Sequence, residues 1–243
     1  MRPLHPLWAT VPIAASVAAI LAAGHPGSAV GADDPAAEGA RIAALGNGRG
    51  VPACASCHAY NGEADPSGAF PRLAGQSRTY LLASLNAYAD GQRKNALMSG
   101  IAAGLSDQER ADVAAYYASV AAPVPPAPPV DERVVDLGRV IATVGLNDQQ
   151  IVACATCHGP FGHSATPPIP SLAGQYARYI EFELQMFRSG ERTSGAAVMA
   201  GFSHRLSDEQ ASAVAAYFQR VQPSPVALAS SPSNQPTGDQ GAR

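Results

Sequence analysis

All four cysteines of the 243-residue chain fall in two copies of one five-residue pattern, CASCH at 54–58 and CATCH at 154–158. A spacing of three puts Cys54 and Cys57 on one helical turn with their sulfurs toward the same side, and His58 follows with an imidazole beside them. That arrangement suits a c-type haem, in which two thioether bonds fix the macrocycle and the histidine supplies the proximal iron ligand. Cys154, Cys157 and His158 repeat it, so the chain is expected to carry two covalently bound haem c groups. Zinc sites, dithiol redox centres and plain disulfides use the same Cys-x-x-Cys spacing. A four-cysteine zinc site places its pairs about 15 to 20 residues apart, whereas 96 residues lie between Cys57 and Cys154. A thioredoxin-like motif needs a βαβ context that the sequence lacks. A histidine directly after both pairs, with no cysteine to spare, favours haem attachment.

The sixth iron ligand decides between electron transfer and catalysis, because a closed coordination sphere leaves no position for peroxide or oxygen. Met98 lies seven residues before Leu105, and Met199 seven before Leu206. These two methionines alone hold the same place in both copies, in what reads as a loop, and they are the expected axial ligands beside His58 and His158. A thioether favours ferrous iron and raises the potential relative to a second histidine. The plainer reading of either is a side chain that fills a core gap. Met186, in YIEFELQMF opposite Ala87, reads as packing. His163 and His204 have no counterparts in the first copy and read as solvated loop histidines.

These groups need elements to hold them, and the elements are also duplicated. FPRLAGQSRTYLLASLNAYADGQR at 70–93 answers IPSLAGQYARYIEFELQMFRSGER at 169–192, and LSDQERADVAAYYASV at 105–120 answers LSDEQASAVAAYFQRV at 206–221. Such drift fits two diverged copies of one domain. Asp34 as N-cap, Pro35 at the first helical position and Gly46 as a stop mark a helix near the start. Its counterpart places Val134, Leu137, Ile141 and Val144 on one helical face. Ser106 with Glu109 and Ser207 with Gln210 make capping boxes that open the last helix of each copy. Those helices bury Val113, Tyr116, Tyr117 and Val120, or Val214, Tyr217, Phe218 and Val221. No segment shows convincing strand alternation, so the fold class is all-α.

The run AAPVPPAPPV lacks half of its backbone donors and favours extended polyproline, a semi-rigid spacer over 122–130 that would reach about 28 Å at roughly 3.1 Å per residue. The organisation is therefore a first domain over 33–121, this Pro-rich linker, a second domain over 131–221 and a disordered tail over 222–243. Residues 1–32 read as a signal peptide: Arg2 precedes the apolar run ATVPIAASVAAILAAG, and small residues suit cleavage after Ala29 or Ala32. That run is short for a spanning helix, so export to the periplasm is expected, with membrane association only if the leader is retained. The formal charge of −3 becomes about −4 without Arg2, which disfavours a nucleic-acid partner.

With these residues in hand, the chain resembles dihaem cytochromes c of the c4 type, two class I cytochrome c domains in tandem. The resemblance covers about 34–221 and rests on CASCH and CATCH, PRLAGQ and PSLAGQ, DGQR and SGER, and a methionine followed by LSD in each half. It implies that the carbonyls of Pro71 and Pro170 accept from the second ring nitrogens of His58 and His158 and fix ring orientation. It also implies that Gly39 and Gly138 let the first and last helices of each domain cross closely, against Tyr116 and Tyr217. Tyr80, Tyr179, Arg93 and Arg192 either line the haems and bind their propionates or serve ordinary packing and solvation. The proline-rich connection looks longer than the family's compact linker, a departure from the pattern that the family's close propionate-to-propionate docking rests on; the halves could lie apart but need not.

The leading functional expectation is a periplasmic electron carrier, not an enzyme, that moves electrons from a quinol-oxidising bc-type complex to a terminal oxidase or reductase. The alternative is the cytochrome subunit of a periplasmic dehydrogenase, such as a flavin-dependent sulfide oxidoreductase. A dihaem peroxidase or thiosulfate-oxidising enzyme ranks below both, since no fifth cysteine exists to ligate iron and two symmetric methionines argue against an open site.

Overall fold

The computed structural model describes residues 34–222; the expected leader lies outside them, as does the expected tail apart from Gln222. Helix α1 (Pro35–Leu45) begins where the Asp34 carboxylate accepts from the Ala36 amide and ends at Gly46, whose φ of 73° carries the chain away. A four-residue turn α2 (Ala55–His58) follows, then α3 (Arg78–Ala89), α4 (Met98–Ala103) and α5 (Asp107–Ser119). The second half repeats the order as α6 (Glu132–Thr143), α7 (Ala155–His158), α8 (Ala177–Arg188), α9 (Ala196–Arg205) and α10 (Asp208–Arg220). Both expected capping boxes form, with Ser106 and Glu109 opening α5 and Ser207 and Gln210 opening α10. Each satisfies two amides that the first helical turn would otherwise leave unpaired.

In each half the first and last helices cross closely enough to exclude a side chain. A Cβ added at Gly39 would stand 2.0 Å from the Asp112 carbonyl oxygen and 2.8 Å from the Tyr116 Cβ, and one at Gly138 would stand 2.0 Å from the Ala213 oxygen and 2.9 Å from the Tyr217 Cβ. Around the first crossing Ile42, Ala43, Leu81, Leu105, Val113 and Tyr117 form a core, and around the second Ile141, Ala142, Ile180, Leu184, Leu206 and Phe218 do. Burying each of the larger side chains contributes about 1.5–3 kcal/mol. Val120 and Val221 pack only partly against these clusters. Val144 departs from expectation: it caps the end of α6, which stops at Thr143, and is 64% exposed, so the buried face of α6 is Gly138, Ile141 and Ala142.

Two short strands, β1 (Gly145–Leu146) and β2 (Ile151–Val152), pair antiparallel around Asn147–Gln149. Two-residue strands carry too little alternation to be read from sequence. The first half closes the same approach to its Cys-x-x-Cys turn differently: the Asn47 side chain accepts from the Arg49 and Val51 amides and donates to the Gly104 oxygen.

The two halves dock closely, although the linker is long enough to hold them apart. The Gln76 amide donates to the Ser171 oxygen (2.6 Å) and accepts from the Ser171 N–H (3.1 Å), while Gln175 donates to the Arg72 oxygen (2.9 Å) and accepts from the Arg72 N–H (3.0 Å). Beyond these, the Lys94 N–H donates to the Glu191 oxygen, the Thr193 N–H donates to the Gln92 oxygen, and an antiparallel bridge links Arg93 with Arg192. The proline-rich segment lies on this junction instead of spanning a gap. Proline removes donors but keeps its carbonyl, and the Arg72 guanidinium donates to the oxygens of Ala122 and Pro123. Val124 packs where a Cβ on Gly174 would fall. A contour length sets only the largest possible separation; the side chains of Arg72, Gln76 and Gln175 select a short one.

Candidate haem sites

The turns α2 and α7 are built alike. The His58 and His158 amides each donate to the carbonyl of the first cysteine of the motif, Cys54 or Cys154, at 2.9 Å. A left-handed residue then reverses the chain, Ala59 with φ 56° in the first half and Gly159 with φ 78° in the second. At Gly159 a Cβ would stand 1.9 Å from the His163 oxygen, so only glycine fits there. In the first half the loop is held from α5: the Tyr117 hydroxyl donates to the Ala59 oxygen and the Tyr116 hydroxyl to the Tyr60 oxygen at 2.8 Å.

Both imidazoles are buried and oriented. His58 Nδ1 lies 3.1 Å from the Pro71 oxygen and His158 Nδ1 lies 2.8 Å from the Pro170 oxygen. A carbonyl only accepts, so Nδ1 carries the proton and Nε2 keeps its lone pair. Burial lowers both histidine pKa values, and the carbonyl contact opposes it only in part. Each ring is thus held as the neutral tautomer that a metal requires.

Cys157 is exposed and the other three cysteines are half-buried. Burial pushes the Cys54 thiol up and the Cys154 thiol up to about 11. Such thiols do not dissociate near neutral pH and do not resemble an activated redox dithiol. Among the described residues no group of three or more His, Cys, Asp or Glu side chains could hold a metal ion.

A cavity of about 600 Å³ opens beside the two turns. Cys54, Cys57, His58 and Met98 line it from the first half, and Cys154, Cys157, His158 and Met199 from the second. Apolar side chains such as Leu81, Leu85, Ile101, Ile180, Leu184 and Phe202 fill most of the remaining wall, the lining expected of a cofactor site. Met98 is the first residue of α4, and Met199 lies in the second turn of α9, so the expected loop position gives way to a helical one in both halves. Met186 is 6% exposed in α8 and packs as expected. His204 is exposed on α9, and neither it nor His163 lines the cavity.

Arg93 and Arg192 line the same cavity, stacked on Tyr88 at 4.6 Å and Phe187 at 4.4 Å. Their side chains are 3% and 9% exposed, and both pair with the one carboxylate of Glu183. Arg93 also donates to the Tyr179 hydroxyl at 2.6 Å. Solvation is excluded for these arginines. Their Nε atoms are buried without a hydrogen-bond partner, and a buried donor left unpaired is costly. Two such donors beside a cavity fit a bound group with acidic substituents, so the residues present fit haem. Sequence reading missed Glu183, Gln76 and Gln175. A lone Glu between two apolar helix positions was the available signal, whereas the glutamines of LAGQ repeat without a chemistry of their own.

Comparison with known proteins comes to the same place. The cytochrome c family profile matches residues 36–121 and 148–222. Cytochrome c4 of Pseudomonas aeruginosa is 35% identical over 206 residues, 84% of this chain and 96% of that protein. A thiosulfate dehydrogenase electron acceptor of Thiomonas intermedia is 35% identical over 178 residues, covering 73% of this chain and 82% of that one. The structure of reduced recombinant cytochrome c4 from Pseudomonas stutzeri superposes with a TM-score of 0.68 at 32% identity, over 78% of this chain and 99% of that chain.

Proposed function

The chain belongs to the cytochrome c family and is a dihaem electron-transfer cytochrome of the c4 type, and from that premise we propose that each half, 33–121 and 131–221, holds one haem c through its own complete set of residues. Cys54, Cys57, His58 and Met98 would hold the first haem, and Cys154, Cys157, His158 and Met199 the second. The observation that carries this reading is the matched pair of buried imidazoles, each with Nδ1 set against a proline carbonyl, Pro71 or Pro170, in a cavity that a duplicated methionine also lines.

When bound, each haem supplies a one-electron ferric/ferrous couple. The chain's residues do the rest. Burial keeps His58 and His158 neutral, and the Pro71 and Pro170 carbonyls hold the proton on Nδ1, orient Nε2 and raise its basicity. Met98 and Met199 would each offer the iron a neutral soft donor, which favours the ferrous state and would leave no open position for a substrate. The protein therefore acts as a carrier and not as a catalyst. The apolar wall would keep water from the iron, and the docked junction fixes the two halves against each other.

The expected setting is the periplasm, with a quinol-oxidising bc-type complex as donor and a terminal oxidase or reductase as acceptor. The similarity to a thiosulfate dehydrogenase electron acceptor favours a second reading, in which a periplasmic dehydrogenase is the donor. Among the described residues no helix is long and apolar enough to cross a membrane.

The test is intact-mass analysis of protein made in a host that matures c-type cytochromes, followed by reduction assays with each donor. Two haem masses per chain are expected, one after Cys54→Ala with Cys57→Ala, and one after Cys154→Ala with Cys157→Ala. A single haem in the unaltered protein overturns the assignment. Reduction by a dehydrogenase but not by a bc complex selects the second donor.

A further inference from the structure

The junction between the halves is built on a pseudo-two-fold pattern with one break in it. Arg93 corresponds to Arg192, Tyr80 to Tyr179, and Tyr88 to Phe187, and the two arginine strands bridge each other. Each guanidinium lies over an aromatic ring of its own half and reaches the tyrosine of the other: Arg93 donates to the Tyr179 hydroxyl, and Arg192 to the Tyr80 hydroxyl at 3.4 Å. The break is at Glu183, whose counterpart is Ser84. Ser84 lines the same cavity but brings no charge. Glu183 takes Arg93 on one carboxylate oxygen and Arg192 on the other, the latter at 2.5 Å. Two buried cations thus share one buried anion, and that anion comes from the second half.

We propose that Glu183 is a positioning and potential-setting residue for both redox centres, a fixed buried carboxylate that clamps the two junction arginines and biases each iron toward its oxidised state. This rests on the haem assignment above. A ferric centre carries one more positive charge than a ferrous one, so a carboxylate held in the wall of the same low-dielectric cavity stabilises it. Water would screen the same carboxylate on the surface; here the side chain is 10% exposed. Burial pushes the Glu183 carboxyl up, but Arg93 and Arg192 outweigh it and hold the group below the ordinary glutamate range, so the negative charge is permanent near neutral pH. At an effective dielectric of about 20, a unit charge still changes an equilibrium about tenfold across roughly 12 Å of protein. Because Ser84 offers no matching charge, the field at the junction is one-sided, and the two centres do not respond to it equally.

The experiment is a redox titration of the full-length, haem-loaded protein, with Glu183→Gln and Ser84→Glu beside it. Glu183→Gln is expected to shift the ferrous-to-ferric ratio at fixed potential toward ferrous at both centres, by unequal amounts within about three- to tenfold, or about 30–60 mV upward for a one-electron couple. Ser84→Glu keeps the existing clamp and adds a second carboxylate at the mirrored position, so it is expected to shift the ratio toward ferric. A purely structural role would change the melting temperature of Glu183→Gln without a shift in either potential. If Glu183→Gln does not fold, Ser84→Glu alone decides. Unmoved potentials in every folded variant, or shifts opposite to those stated, overturn the proposal. Failure of the haem assignment would look different, as the unaltered protein would not titrate as two one-electron centres.

Discussion

Replacing Gly39 by alanine is the sharpest structural perturbation this fold offers, because the added methyl would meet backbone and not a movable side chain. Its Cβ would stand 2.0 Å from the Asp112 carbonyl oxygen and 2.5 Å from the carbonyl carbon, where real Cβ atoms keep at least 3.0 Å. Helices α1 and α5 must therefore separate by about 1 Å along a crossing that seals Ile42, Ala43, Val113 and Tyr117. Overpacking of this kind costs about 1–3 kcal/mol. Since neither backbone can turn aside, the upper value applies and corresponds to a fall of roughly 12–24 °C in Tm for a domain of this size. The displacement also reaches the candidate site, because α5 holds the loop after His58 through the Tyr116 and Tyr117 hydroxyls. Thermal unfolding of the haem-loaded protein, followed by circular dichroism and by haem absorbance, is the assay. Gly39→Ala is expected to lower the transition of the first half and Gly138→Ala that of the second. A Gly39→Ala protein melting within about 3 °C of the unaltered one would refute the reasoning.

Glu183 predicts a pH dependence with a definite sign. Its carboxyl is held below the ordinary value of 4.5 in the folded protein, so its stabilising effect is complete above that value and is lost as pH falls through the lowered folded value. Glu183→Ala leaves two buried guanidiniums without their counter-charge and is expected to cost about 3–5 kcal/mol at neutral pH; in denaturant titrations the gap to the unaltered protein should close in acid. At the junction, Gln76→Ala and Gln175→Ala each strip two hydrogen bonds from backbone groups of the other half. Each is expected to cost about 1–3 kcal/mol and to speed hydrogen exchange at the amide it leaves unpaired, Ser171 for Gln76 and Arg72 for Gln175.

What could be read from the sequence was whatever is local or exactly repeated. The Asp34 cap, the Gly46 stop and both capping boxes depend on residues within one or two turns, and all four form. The Cys-x-x-Cys-His turns are local as well, and the prolines that orient their histidines followed from family resemblance. The misjudged features are those decided across the chain. Proline content gave the linker's stiffness but not its path, which Arg72 fixes from 50 residues away. The clamp on Glu183 joins a side chain of α8 to arginines from the turns that follow α3 and α8, and no periodic pattern marks it. Val144 shows the same limit on a smaller scale: its helical spacing is right, but α6 ends before reaching it.

The central claim is that each half closes its own iron with a histidine and a methionine. The methionine-to-ferric-iron charge-transfer band of the oxidised protein, measured beside Met98→Ala, Met199→Ala and the double variant, tests it most directly. The account predicts that each single substitution removes about half of the band and the double removes all of it, with covalent haem content unchanged. A band that survives both substitutions, or one that a single substitution abolishes entirely, would contradict it.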